Sequence, residues 1–204
     1  MPATQSGGPA LRARDAQRLQ TRARVFEAAV AEIGRSGLAG ADVATIATAS
    51  GVSRGTFYFH FPTKEHVLVE LEWAEEATIV AKLATPAADP DLMSVLKLLV
   101  RQVLAAERRL GPVVFRDMLG LHFSSTRPVE DQLGEHPLAE FVIAVITQAQ
   151  TAGRVSRDAD PGELGVIFLT GLFALLATGV PASRARTALL DRYVTTVVRG
   201  MEER

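Results

Sequence analysis

The sequence predicts an all-α protein of about nine helices, with a helix-turn-helix near its N-terminus followed by a larger C-terminal helical part. Three observations carry that reading. Apolar residues recur at helical spacing along the whole chain, and convincing strand alternation and Asn-Gly or Asp-Gly hairpin turns are absent. Glycine, proline and capping residues punctuate the chain at helix-length intervals. A composition of 48% hydrophobic and 22% charged residues over 204 positions suits a folded chain with a sizeable core.

The elements follow in order. Residues 1–10 are small and polar before basic residues begin, and read as a disordered tail without a secretion signal. The first helix spans about Ala13 to Arg35, with Phe26, Ala29, Val30 and Ile33 on one face and Gly34, Ser36 and Gly37 ending it. Asp42 caps a short second helix whose buried face is Val43, Ile46 and Ala47, and Gly51 suits the left-handed conformation that closes it. Ser53 caps a third helix, Arg54 to Phe59. Pro62 breaks the chain, and Thr63 caps a longer helix from Lys64 to about Leu83. Five more helices are expected near 90–108, 112–123, 137–152, 161–179 and 183–201. The start at 161 is marked by Asp160 as cap and Pro161 in the first helical position. Domain boundaries are expected at 11–64 and 65–204.

Cysteine is absent, which excludes disulfides and thiolate metal sites and leaves the cytoplasm as the default compartment. The uncharged run Leu164 to Ser183 is long enough to test for a membrane span. Its glycines and Pro181 mark it instead as a buried helix, so no membrane partner is expected. Net charge is −1, but its distribution is uneven: residues 1–64 carry eight Lys/Arg against four Asp/Glu, and residues 65–204 fourteen against nineteen. A basic N-terminal piece on an acidic body points to polyanion contact at one end. Arg14, Arg18 and Arg22, at successive fourth positions, form a basic stripe, and with Arg12 they are placed to reach phosphates or a minor groove.

The segment Asp42 to Glu65 carries the chemistry. A helix, a tight glycine turn and a capped second helix let that second helix enter a major groove while the first braces it. The second helix displays Ser53, Arg54, Gly55, Thr56, Tyr58 and His60. Arg54 has the fork to donate two hydrogen bonds to a guanine edge. Gly55 removes a side chain and lets backbone approach a duplex. Thr56 and Tyr58 bring hydroxyls, Phe57 and Phe61 are the buried anchors, and Lys64 at the next helix N-terminus favours a phosphate.

Across Phe26 to Leu71 the chain resembles the TetR family of transcriptional regulators. The resemblance rests on Ile46-Ala47, Gly51-Val52-Ser53, Gly55-Thr56-Phe57-Tyr58, His60-Phe61 and Lys64-Glu65. It implies a regulator, usually a repressor, that occupies a palindromic double-stranded operator and is released by a small-molecule effector. Thr45, Ser53, Arg54, Gly55, Thr56, Tyr58, His60 and Lys64 are its implied DNA-facing residues. Two departures stand out. Ala41-Asp42 replaces a frequent Thr-Thr pair, and Thr45 stands where an acidic residue is common, changes that bear on operator preference and not on the fold.

The resemblance also places an effector pocket in the C-terminal domain, with Trp73, Phe115, Met118, His122, Phe123, Phe141 and Phe168 as lining candidates, alongside Leu121 and Val145. His122 is the polar group suited to orient a ligand. The last two helices offer a dimer surface: Phe168, Thr170, Ala174 and Thr178 on one, and Leu189, Leu190, Tyr193 and Val197 on the other. Two half-sites raise the specificity of one short recognition helix, so a homodimer is expected on independent grounds. Enzyme signatures are absent. The four histidines, His60, His66, His122 and His136, show no metal-ligand spacing, and Glu72, Glu75 and Glu76 read as an exposed acidic face, so no metal and no cofactor are expected.

Overall fold

A computed structural model of the chain describes residues 9–83, 91–128, 136–178 and 183–202, with side chains from residue 13 onward. These residues form nine α-helices and one 3-10 turn, without a strand among them. The chain divides into two compact units, Met1–Val67 and Leu68–Arg204. Most of the expected N-terminal tail, and the separators near 85–90, 129–135 and 179–182, lie outside the described residues.

In the first unit, α1 (Pro9–Gly40) begins at Pro9, inside the stretch read as tail. It is broken at Gly37 (φ 72°, ψ 163°), so its long part stops at the expected Gly-Ser-Gly cluster. Helix α2 (Val43–Ser50) starts on Asp42, whose carboxylate accepts from the N–H groups of Ala44 and Thr45 at 3.2 Å each. It ends on Gly51 in the left-handed region, φ 68°. Helix α3 (Arg54–His60) starts on Ser53, whose Oγ accepts from Thr56 N–H at 3.1 Å. Val25, Ala29, Val43, Ile46, Phe57, Phe61 and Val67 form one buried cluster that holds the three helices together. Burying apolar side chains of this size contributes roughly 1.5–3 kcal/mol each.

Helix α4 (Lys64–Leu83) carries the chain out of the first unit and into the second. There follow α5 (Leu92–Leu110), α6 (Pro112–Gly120), a 3-10 turn (Leu121–Phe123), α7 (Pro137–Thr151), α8 (Pro161–Ala177) and α9 (Arg184–Met201). The expected helix 112–123 thus tightens over its last three residues, a common way to end a helix. Asp91, Asp160 and Ser183 cap α5, α8 and α9, and prolines open α6, α7 and α8. Leu96, Leu99, Val142, Ile146, Phe168, Leu172, Val194 and Val198 are fully buried and make the centre of this unit. Among the described residues no helix is long and apolar enough to cross a membrane.

Candidate functional site

In the first unit the candidate recognition surface is α3. Phe57 and Phe61 point into the core at 0% and 1% exposure, as one helical turn separates them. The opposite side of α3 presents Arg54, Gly55 and Tyr58 to solvent. Phe59 is 67% exposed. It was not among the sequence candidates, although two positions from Phe57 on a helical wheel it must face outward.

Beside α3 run two of the stripe arginines. Arg18 stands over the Phe59 ring at 5.6 Å and Arg22 over the Phe61 ring at 4.5 Å. Burial, and then Arg22 and Arg18, lower the His60 pKa below the usual value, so at neutral pH this ring is an uncharged hydrogen-bonding group in an electropositive setting. Arg14 is exposed, and the Arg12 side chain lies outside the described ones.

Four predicted DNA contacts have work inside the fold. The Ser53 and Thr56 hydroxyls pair at 2.9 Å within the α3 cap. Thr45 Oγ1 donates to Asp42 at 3.2 Å, and Asp42 is held below the usual carboxylate range, chiefly by the Ala44 N–H. Lys64, expected at a phosphate, donates from Nζ to Leu38 O at 2.8 Å and Ala41 O at 2.7 Å, bracing the end of α1. An ammonium satisfies carbonyls left open at a helix end.

In the second unit a narrow cleft is lined by Glu72, Glu75, Glu76 and Ile79 of α4, Val103 and Ala106 of α5, Phe115, Met118 and Leu119 of α6, Leu138 of α7 and Phe173 of α8. Two of the predicted lining residues, Phe115 and Met118, are there. His122 flanks it, with its ring stacked on Phe173 at 4.6 Å. The others are elsewhere. Phe168 is wholly buried, stacked on Tyr193, and Leu190 is 2% exposed, so both belong to the chain's own core and not to a dimer surface. Phe123 is 53% exposed, and Val145 lines a separate, smaller cleft with Leu92 and Arg154. Trp73 is 39% exposed, with its ring 4.9 Å from that of His136. Phe141 is half-buried and is not part of the cleft lining.

The acidic residues of α4 reverse the sequence expectation. Glu72 is 1% and Glu76 4% exposed, so they are not a solvated face. Glu72 pairs with His122 Nε2 and, at 3.2 Å, with Arg127 Nη2. Glu76 accepts from His136 Nδ1 and from the Leu138 N–H, both at 3.2 Å. Burial first, and the nearby Glu72 charge after it, raise the Glu76 pKa. Glu75 is half-buried at the cleft and paired with Arg109 at 2.5 Å.

Residues 25–71 match the model of the bacterial regulatory proteins, tetR family. No curated protein matches the chain. Solved structures share its fold along nearly the whole length. Thermus thermophilus FadR, a TetR family transcriptional repressor in complex with lauroyl-CoA, aligns with a TM-score of 0.71 at 21% identity, over 90% of this chain and 96% of that one. The fatty acid degradation regulator FadR from Bacillus halodurans aligns at 0.61 and 23%, over 88% and 98%. The ketosteroid transcriptional regulator KstR2 of Mycobacterium tuberculosis aligns at 0.55 and 18%, over 90% and 95%. At these identities the shared property is the all-helical fold. The match to the model of the bacterial regulatory proteins, tetR family, covers the stretch that contains the helix-turn-helix at α2 and α3.

Proposed function

We propose that this chain is a homodimeric transcriptional repressor that reads a palindromic operator through α3 and leaves it when a small, largely apolar effector enters the cleft around Phe115 and Met118. The observation that carries the reading is the outer face of α3, where Arg54, Gly55, Tyr58 and Phe59 are exposed beside Arg18 and Arg22. That face combines a guanine-reading fork, an apolar ring suited to a thymine methyl, and cations for phosphates. The cleft supports the second half: its lining is mostly apolar with a few buried polar groups, the usual make-up of a small-ligand site. It acts by binding, without turnover, in the cytoplasm where its DNA target is.

The coupling runs through α4, which holds Lys64 at its start and the cleft residues Glu72, Glu76 and Ile79 further along. An effector that prefers the released form by about 1–3 kcal/mol lowers operator affinity some 5- to 150-fold. The test is selection of bound duplexes from a random library at about 0.15 M salt, where phosphate contacts alone are weak. A palindrome recovered by the native chain and lost with Arg54→Ala and Tyr58→Ala is the expected result. No motif, or one indifferent to both substitutions, overturns the reading.

A further inference from the structure

Two buried carboxylates, Glu72 and Glu76, stand one turn apart on one face of α4. Two histidines close over them. His136, wholly buried at the cap position of α7, points Nδ1 at Glu76, and His122, with its side chain 4% exposed in the 3-10 turn, sets Nε2 against Glu72. One ligand atom each of Glu72, Glu76 and His136 lies within 4.8 Å of the others. Around a tetrahedral ion with bonds of about 2.0–2.1 Å, ligand atoms sit roughly 3.3–3.5 Å apart, so a small contraction of side chains brings these into register.

The charge balance points the same way. Arg127 is 3.2 Å from Glu72 and its guanidinium offsets one of the two buried carboxylates. A divalent cation offsets carboxylate charge at this buried position and replaces the histidine–carboxylate hydrogen bonds with ligand bonds. Mixed imidazole and carboxylate donors suit borderline first-row ions, and hard ions such as calcium prefer oxygen alone. The absence of cysteine excludes the thiolate sites that favour softer ions.

We propose that Glu72, Glu76 and His136 form a buried binding site for one divalent first-row transition cation in the wall of the apolar cleft, with His122 beside it on Glu72. Phe173 stacks on His122 and holds its ring in place, and Trp73 packs near the His136 ring. The cleft opens beside the carboxylates, so a small ligand entering it meets the ion.

The experiment uses the untagged full chain, stripped with a chelator and dialysed. Zn²⁺ is added, free ion is removed by gel filtration, and bound zinc is counted by mass spectrometry. One zinc per chain is expected. Glu76→Gln and His136→Ala lower affinity by 100-fold or more, and Glu140→Gln, exposed on α7, leaves it unchanged. Glu76→Gln keeps an acceptor for the Leu138 N–H, and circular dichroism verifies that it folds. Co²⁺ titration of the native chain adds a readout that needs no variant: visible ligand-field bands of a four-coordinate nitrogen–oxygen site. A native chain that retains no zinc and develops no such bands overturns the proposal, as does equal binding by the native, Glu76→Gln and His136→Ala proteins. Both readouts follow the ion alone, so they stand apart from operator binding.

Discussion

Gly55 sits in the recognition helix with ordinary helical neighbours, and the chain itself gives no reason for a glycine there. A Cβ at this position meets only Ser53 Oγ, at 3.7 Å. Glycine inside a helix costs roughly 0.5–1 kcal/mol relative to alanine. Gly55→Ala is therefore expected to hold or raise the melting temperature while weakening operator binding at least tenfold, measured by thermal unfolding and by fluorescence anisotropy on the selected duplex. Equal affinity for both proteins would show that no duplex backbone approaches at this point. The same scale explains what was legible from sequence. Asp42, Gly51 and Ser53 could be assigned in advance because a cap acts on groups two to four residues away. Glu72 and Glu76 could not, because the groups that bury them, His122, Arg127 and His136, stand 50, 55 and 60 residues further along. Lys64 belongs with these, since its carbonyl partners lie 26 and 23 residues back.

At the scale of elements, the contact between α8 and α9 turns on one pair. Tyr193 Oη donates to Phe168 O at 2.7 Å, which brings its ring against Gly171. A Cβ at position 171 would overlap the Tyr193 hydroxyl and ring, so only glycine lets the two helices approach this closely. Gly171→Ala is expected to destabilise the fold by about 1–3 kcal/mol in urea unfolding, the usual cost of overpacking. Burial of the phenol pushes the Tyr193 pKa up to about 12 from an ordinary value of 10.0. The folded chain thus holds this proton more tightly than the unfolded chain. The resulting stabilisation is complete below pH 10 and is lost as pH rises from 10 towards about 12. Comparing unfolding of the native chain with Tyr193→Phe across that window isolates the effect, because the variant lacks the titrating group. A stability difference that stays constant with pH would contradict the burial. Helix starts such as Pro161 were readable because local caps dictate them, whereas helical periodicity alone cannot say whether a face meets a neighbour in the same chain, a ligand or a second subunit.

That last ambiguity is resolved only in part at the scale of the molecule. Phe168 and Leu190 drop out of the proposed dimer surface because the chain buries them itself. What remains on α8 is an exposed strip: Val166 at 52%, Ile167 at 58%, with Thr170 and Thr178 exposed and Ala174 half-buried along the same side. On α9, Leu189, Tyr193 and Val197 are half-buried. Isolated apolar side chains on a surface need no explanation, but adjacent ones flanked by small residues at every fourth position allow two helices to pack closely. A two-fold pairing through this strip is self-complementary, and it answers the demand that DNA reading makes independently, since one seven-residue recognition helix contacts few base pairs. Light scattering at micromolar concentration is expected to give twice the 21.9 kDa chain mass. The double substitution Val166→Glu, Ile167→Glu places two like charges from each subunit across the axis, and is expected to give a folded monomer. That monomer should lose 100-fold or more in affinity for the full palindrome and keep its weaker, salt-sensitive binding to unrelated duplex. If the variant stays dimeric, pairing runs through another face. If it becomes monomeric and binds the palindrome undiminished, the two half-sites are read independently and the argument from short recognition helices fails.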